Sequence, residues 1–145
     1  MAINDRSDPF AAFNFLVEIE GVTVAGFSEC SGINSETDAI EYRTGKEPNT
    51  VRKLPGLRKY GNITLKRGFT NSKELWEWRK KVMDGKTERK PGTITLRNEA
   101  GETALRWHFF EAWPRKWEGP TLNGKTNEVA IETLEIANEG IQRTK

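Results

Sequence analysis

Cysteine and histidine are nearly absent from this chain of 145 residues, which holds one of each, Cys30 and His108. A lone cysteine forms no internal disulfide, and one Cys, one His and scattered carboxylates show no metal-ligand spacing, so no metal site is expected. Nothing in this usage calls for an oxidising compartment. Cys-His nucleophilic catalysis would need a third, orienting group and a motif around Cys30, and neither is visible; a small, partly buried cysteine and a structural histidine explain the pair. No catalytic residue and no cofactor is expected. Long apolar runs are missing too. None approaches the roughly 18 residues that span a bilayer, and the start, MAINDRSDPF, mixes charges with no apolar signal-type stretch. Cytoplasmic synthesis without direct membrane insertion is therefore expected. Aliphatic mass is scarce: Leu, Ile, Val and Phe account for 31 of the 145 residues, close to the roughly 20% below which chains tend to disorder. Yet 23 basic residues nearly cancel 21 acidic ones, so the self-repulsion of most disordered chains is absent. A folded subunit that completes its burial against copies of itself reconciles the two.

What the chain does contain reads as one domain over 1–145, mostly β with one helix. Residues 1–11 form a flexible arm in this reading. Phe13, Phe15, Val17 and Ile19 then alternate with polar neighbours as a strand with one buried face. Extended segments follow over Val22 to Phe27 and Ile33 to Arg43. From 44 to 59 the chain holds Gly45, Pro48, Pro55 and Gly56, too many breakers for an element, and a long loop is expected there. Alternation resumes from Tyr60 to Phe69, with Ile63, Leu65 and Phe69 on one face and Asn62, Thr64 and Lys66 on the other. The helix is expected to begin at Asn71 with Glu74 closing a capping box. It buries Leu75, Trp78 and Val82, carries cations toward its end and stops at Gly85. Thr93 to Asn98 and Thr103 to Trp113 read as strands around a turn at Glu99-Ala100-Gly101. Phe110 breaks the parity of Leu105, Trp107 and Phe109, which points to a bulge or two-sided burial.

Three features carry possible chemistry. Gly119 to Thr126, GPTLNGKT, fits the phosphate-loop pattern at every position, with Lys125 and Thr126 as the nucleotide-binding pair. That loop requires a buried parallel strand before it and a helix after it. Upstream, Pro114 and Pro120 bracket a charged segment where the strand should run, no apolar strand ends in a magnesium-binding Asp, and the surrounding sheet architecture is missing. Downstream, Asn127 to Glu139 fits a helical stripe and a strand alternation equally well. The second feature is the loop from Arg43 to Lys59, where Arg43, Lys46, Arg52, Lys53, Arg58 and Lys59 face a single acid, Glu47. Such a stretch tracks phosphates in nucleic-acid binders, but it lacks interleaved aromatics, and a solvated loop or a subunit contact fits as well. Third, Trp76, Trp78, Trp107, Trp113 and Trp117 could line a ligand pocket in a monomeric barrel, although in so lean a chain core or subunit contacts are the simpler reading.

The segments FNFLVEIEGVTVAGFSECSGI, EYRTG, KLPGLRKYGNITLKRG, LWEW, AWPRKWEGPTLN and NEVAIETLEIANEG, in this order, resemble the tube proteins of contractile phage tails and related bacterial injection systems. The resemblance spans nearly the whole chain, with Trp113, Pro114, Trp117, Gly119, Pro120, Asn127 and Glu128 as its signature. It implies an antiparallel β-barrel or sandwich with one packed helix and a long inter-strand loop, closing into hexameric rings that stack into a hollow conduit. It makes GPTLNGKT the turn between the last two strands. Tyr42, Arg43, Lys46, Arg52, Lys53, Arg58 and Lys59 become subunit contacts. The lumen face is either Asn62, Thr64 and Lys66 or Thr93, Thr95 and Arg97, and the helix lies away from it. Implied partners are further copies, a sheath protein, baseplate or spike and tube-terminating proteins, and a lumen cargo. The particle is a phage tail or an injection device. A baseplate-proximal tube initiator shares the same motifs and is the alternative.

Overall fold

Strand β7 (Thr103–Glu118) runs for 16 residues and belongs to two sheet halves, so it organises everything else. The computed structural model describes residues 9, 11, 14–22, 26–43, 45, 49–125 and 129–145. Phe13, most of the expected N-terminal arm, Lys46 and Thr126 to Glu128 lie outside the described residues. The strands are β1 (Phe15–Ile19), β2 (Phe27–Ser31), β3 (Ser35–Tyr42), β4 (Arg52–Tyr60), β5 (Ile63–Gly68), β6 (Lys90–Arg97), β7, β8 (Ile131–Ala137) and β9 (Gly140–Arg143), with helix α1 (Glu74–Met83) between β5 and β6. Seven of them form one antiparallel sheet in the order β1-β6-β7-β8-β5-β2, with β9 beside the first half of β7. The second half of β7 leaves those partners and pairs with β8.

The switch happens at the bulge that Phe110 announces. Gly92 of β6 stands opposite Phe109 and Lys90 opposite Ala112, so β7 carries an extra residue there, and Glu111 takes a φ of 52°. A bulge bends its strand and increases its twist, which lets one strand serve two sheets and fold them around a common interior. Into that interior point Val17, Ile19, Phe27, Ile63, Leu65, Ile94, Phe109, Ala112, Leu134 and Ile136, joined by Leu75 and Trp78 of α1. Gly92 is required for this packing, because a Cβ there would stand 2.1 Å from the Phe109 ring and 2.8 Å from the Glu18 carbonyl. Each fully buried Ile or Leu contributes roughly 1.5–3 kcal/mol.

Four expectations need correction. Residues 52–59 are not loop: Arg52–Tyr60 is strand β4, paired antiparallel with β3 as a separate two-stranded ribbon. Pro55 is accommodated because each strand of such a ribbon has one unpaired edge, and the register shifts between Thr37 and Ala39 beside it. The capping box does not form, since α1 starts at Glu74 with Lys73 as an N-cap making no side-chain hydrogen bond. Glu74 is instead the first helical residue, and its N–H donates to the Ser72 hydroxyl at 3.5 Å rather than to Asn71. Strand β7 does not stop at Trp113 but runs through buried Pro114 to Glu118, with a second register shift between Pro114 and Lys116 relieving the missing N–H. Finally, β8 is followed by the short β9, so the loop after β7 does not join the last two strands. The helix end matches expectation: Gly85 has a φ of 78°, its N–H donates to the Val82 carbonyl, and that of Lys86 donates to Lys81, a Schellman closure.

Candidate assembly surfaces

The ribbon of β3 and β4 has no buried residue on either strand. Ile40 pairs with Leu54 and Tyr42 with Arg52, placing an apolar patch on one face. Exposure reaches 75% at Leu57, and Tyr42, Ile40 and Leu54 are also open to solvent. Charge divides by strand: β3 carries Glu36, Asp38 and Glu41, and β4 carries Arg52, Lys53, Arg58 and Lys59, with Lys59 and Asp38 3.3 Å apart. The structure therefore gathers Tyr42, Arg52, Lys53, Arg58 and Lys59 on one projecting element, with Arg43 at its far end, where the β3–β4 connection begins. A two-stranded ribbon without a hydrophobic face against something else is marginal in water.

The other signature residues cluster elsewhere. Trp117 donates its Nε1–H to Glu132 at 2.7 Å and packs against Trp76 of α1, ring centroids 4.9 Å apart, and against Phe69 at 6.4 Å. Pro114 is buried, and its carbonyl accepts from Arg79 of the helix at 3.3 Å. Of the helix-packing residues, Leu75 and Trp78 are buried and Val82 half-buried, and Trp78 donates to the Glu88 carbonyl at 2.7 Å. Trp113 is half-buried opposite Ala137, while Gly119 and Pro120 open the β7–β8 connection. Asn127 and Glu128 lie outside the described residues.

The pair that sequence reasoning missed is Arg67 and Glu132. They face each other across β5 and β8, with the Arg67 Nε 2.9 Å from Glu132 and exposures of 2% and 3%. Strand parity carried the signal, since Arg67 shares a face with Ile63 and Leu65, and Glu132 with Leu134 and Ile136.

The family model for the T4-like virus tail tube protein gp19 matches residues 11–142. The chain belongs to the tail tube family. A chain in the anti-feeding prophage cap, described as a tube terminating cap, superposes with a TM-score of 0.88 at 29% identity, covering 100% of this chain and 99% of that one. One from the sheath-tube complex of an extracellular contractile injection system gives 0.84 at 28% identity, covering 94% and 91%. Hcp1 from Flavobacterium johnsoniae shares the fold alone, with a TM-score of 0.56 at 21% identity over 91% and 95%. No curated protein sequence is matched.

Within the tail tube family the rival readings lose their structural footing. Gly119 to Lys125 joins two antiparallel, mutually paired strands, and Asn123 holds the Lys125 amide at 3.0 Å; the next element among the described residues is strand β8, not a helix that would present amides to a phosphate. Cys30 and His108 do not meet as a dyad. Trp107 faces Cys30 across an apolar slot of about 360 Å³, while His108 Nδ1 lies 3.1 Å from the Thr93 hydroxyl. Burial pushes the Cys30 thiol up to about 11, which keeps it protonated and a poor nucleophile at neutral pH. Among the described residues, no helix is long and apolar enough to cross a membrane.

Proposed function

We propose that this tail tube subunit closes into six-membered rings that stack into the hollow inner conduit of a phage tail or contractile injection particle. The single observation that carries the geometry is the β3–β4 ribbon, whose solvent-facing Ile40, Tyr42, Leu54 and Leu57 require cover. Neighbouring copies supply it, through Tyr42, Arg43, Lys46, Arg52, Lys53, Arg58 and Lys59. A head-to-tail contact closes into a ring when its rotation divides the circle, and ring faces then repeat along the axis. Edges of β1, β2 and the ribbon that pair with no other strand among the described residues offer strand-to-strand continuation between copies. The similarity to a sheath-tube complex and to a tube terminating cap supports a surrounding sheath and terminating proteins as further partners; a baseplate or spike at the tube's start and a lumen cargo complete the proposal.

Negative-stain electron microscopy of the purified chain across concentration, paired with light scattering, tests this. Six-fold rings with a central hole, or stacks of them, are expected. Strict monomers at every concentration and salt, with and without preformed baseplates as seeds, overturn it.

A further inference from the structure

The outer side of the β2-β5-β8-β7 sheet is polar across four strands. Its register forms two rows, Ser31, Thr64, Glu135 and Lys116 in one, and Glu29, Lys66, Thr133 and Glu118 in the other. The alternate residues Cys30, Leu65, Leu134 and Trp117 point the opposite way, toward the core and α1. Every charge on this face stands beside its opposite: Lys66 lies 3.2 Å from Glu29, Lys116 lies 2.7 Å from Glu118, and Arg115, at the bulge, pairs with Glu135. Three cations thus pair with three anions, and Lys66, Lys116, Glu118 and Glu135 among them line a shallow depression of about 240 Å³ with Thr64 and Thr133. Apolar side chains on this side lie at its two ends, Val129 and Ile131 near the β7–β8 connection and half-buried Trp113 beside Ala137 at the other.

We infer, resting on the tube reading above, that this face is the wall of the conduit and that its self-paired charges leave it without a net field, so that cargo is selected by size and not by sign of charge. On the other candidate face Thr95 is only 5% exposed and Thr93 is half-buried, which leaves Arg97 alone open to solvent. The helix packs on the reverse of the polar sheet through Trp76 against Trp117, so it does not obstruct the wall. A wall carrying one sign repeated sixfold would concentrate or repel charged molecules by about tenfold or more, because a confined low-dielectric lining focuses the field. Adjacent opposite charges cancel within a Debye length of about 8 Å, well inside a channel wide enough for a macromolecule.

The test is cysteine accessibility in assembled tubes of a Cys30→Ser, Thr133→Cys variant, with tube formation first verified by electron microscopy. Small methanethiosulfonates should modify position 133, while a maleimide on a large polyethylene glycol should modify it in dissociated subunits only. Cationic and anionic methanethiosulfonates, each normalised to a free thiol, should react within about threefold of each other, and adding Lys66→Glu with Lys116→Glu should favour the cationic reagent by about tenfold. Intact tubes whose position 133 takes the large reagent as fast as dissociated subunits overturn the wall assignment. A more than tenfold bias between the charged reagents in the parent tubes overturns its neutrality. Absence of tubes at the first step is a failure of the assembly reading, and is seen before any labelling.

Discussion

Arg67 and Glu132 stand opposite each other on β5 and β8, almost wholly out of water, and Glu132 also accepts from Trp117. Both Arg67 terminal nitrogens are buried without a hydrogen-bond partner among the described residues, so the pair depends on the Nε contact for compensation. Removing one partner should therefore cost about 3–5 kcal/mol, while replacing both with apolar residues of similar volume should be far milder. Urea unfolding of unassembled subunits is expected to show Glu132→Leu strongly destabilised and Arg67→Met with Glu132→Leu recovering most of the loss. An additive double mutant would show that the pair contributes nothing specific. A second carboxylate answers to pH instead. Glu88 bridges Lys81 at 2.6 Å and Lys90 at 3.0 Å, and the Lys81 hydrogen bond, then that of Lys90, holds it below the usual range. Its folded value is lowered, so its contribution is complete above the ordinary glutamate range and lost as pH falls through the lowered value. A side-chain NMR titration should place its midpoint below that of a free glutamate, and Lys81→Met should move it upward. Neither contact was legible beforehand: parity places Arg67 and Glu132 inward, but only knowledge that β5 pairs with β8 turns two buried charges of opposite sign into a pair.

At the scale of elements, alternation of apolar side chains located β1, β5, β6 and most of β7, because each buries one face and exposes the other. It failed for β4, which buries neither face and so leaves no period to read. Pro55 and Gly56 look like breakers there because a ribbon tolerates what a central strand cannot; a Cβ on Gly56 would stand 3.1 Å from the Ile40 side chain. Alternation also stopped short in β7, where Pro114 signals an end in an ordinary strand and a bulge in this one. The helix was legible at its C-terminal stop and its buried stripe, but not at its start, where Lys73 offers no cap to a pattern that favoured Asn71. The bulge at Phe110 was read from parity alone. Its strained residue is Glu111, the sole positive-φ non-glycine among the described residues. Glycine adopts that conformation freely, whereas a β-branched side chain resists it. Glu111→Gly should leave stability equal or raised by up to about 1 kcal/mol, and Glu111→Val should lower it by about 1–3 kcal/mol. Denaturant midpoints of the two variants check the sign, and a Gly variant less stable than the Val variant would contradict the strained bend.

For the whole molecule, the proposed assembly joins a lean core and a bare ribbon in one reading, in which part of the burial belongs to neighbours. Leu57 separates folding from assembly because it is 75% exposed on an element that contributes nothing to the core. Leu57→Glu should leave the unfolding of isolated subunits within about 0.5 kcal/mol of the parent, as surface substitutions do. It should nonetheless raise the concentration at which rings or stacks appear in light scattering. Arg52→Glu with Lys53→Glu probes the same ribbon through charge, so its defect should depend on salt, shrinking as the Debye length contracts from about 10 Å at 0.1 M toward 3 Å at 1 M. The Leu57 defect, being desolvation of apolar surface, should persist at high salt, since excluded salts strengthen apolar burial. If both variants assemble like the parent at every salt concentration, the ribbon lies outside the subunit contacts and the cover for its apolar face comes from another protein. If the Leu57 variant loses folding and assembly together, the ribbon packs on its own subunit, and the division between intrinsic core and shared interface falls elsewhere in the chain.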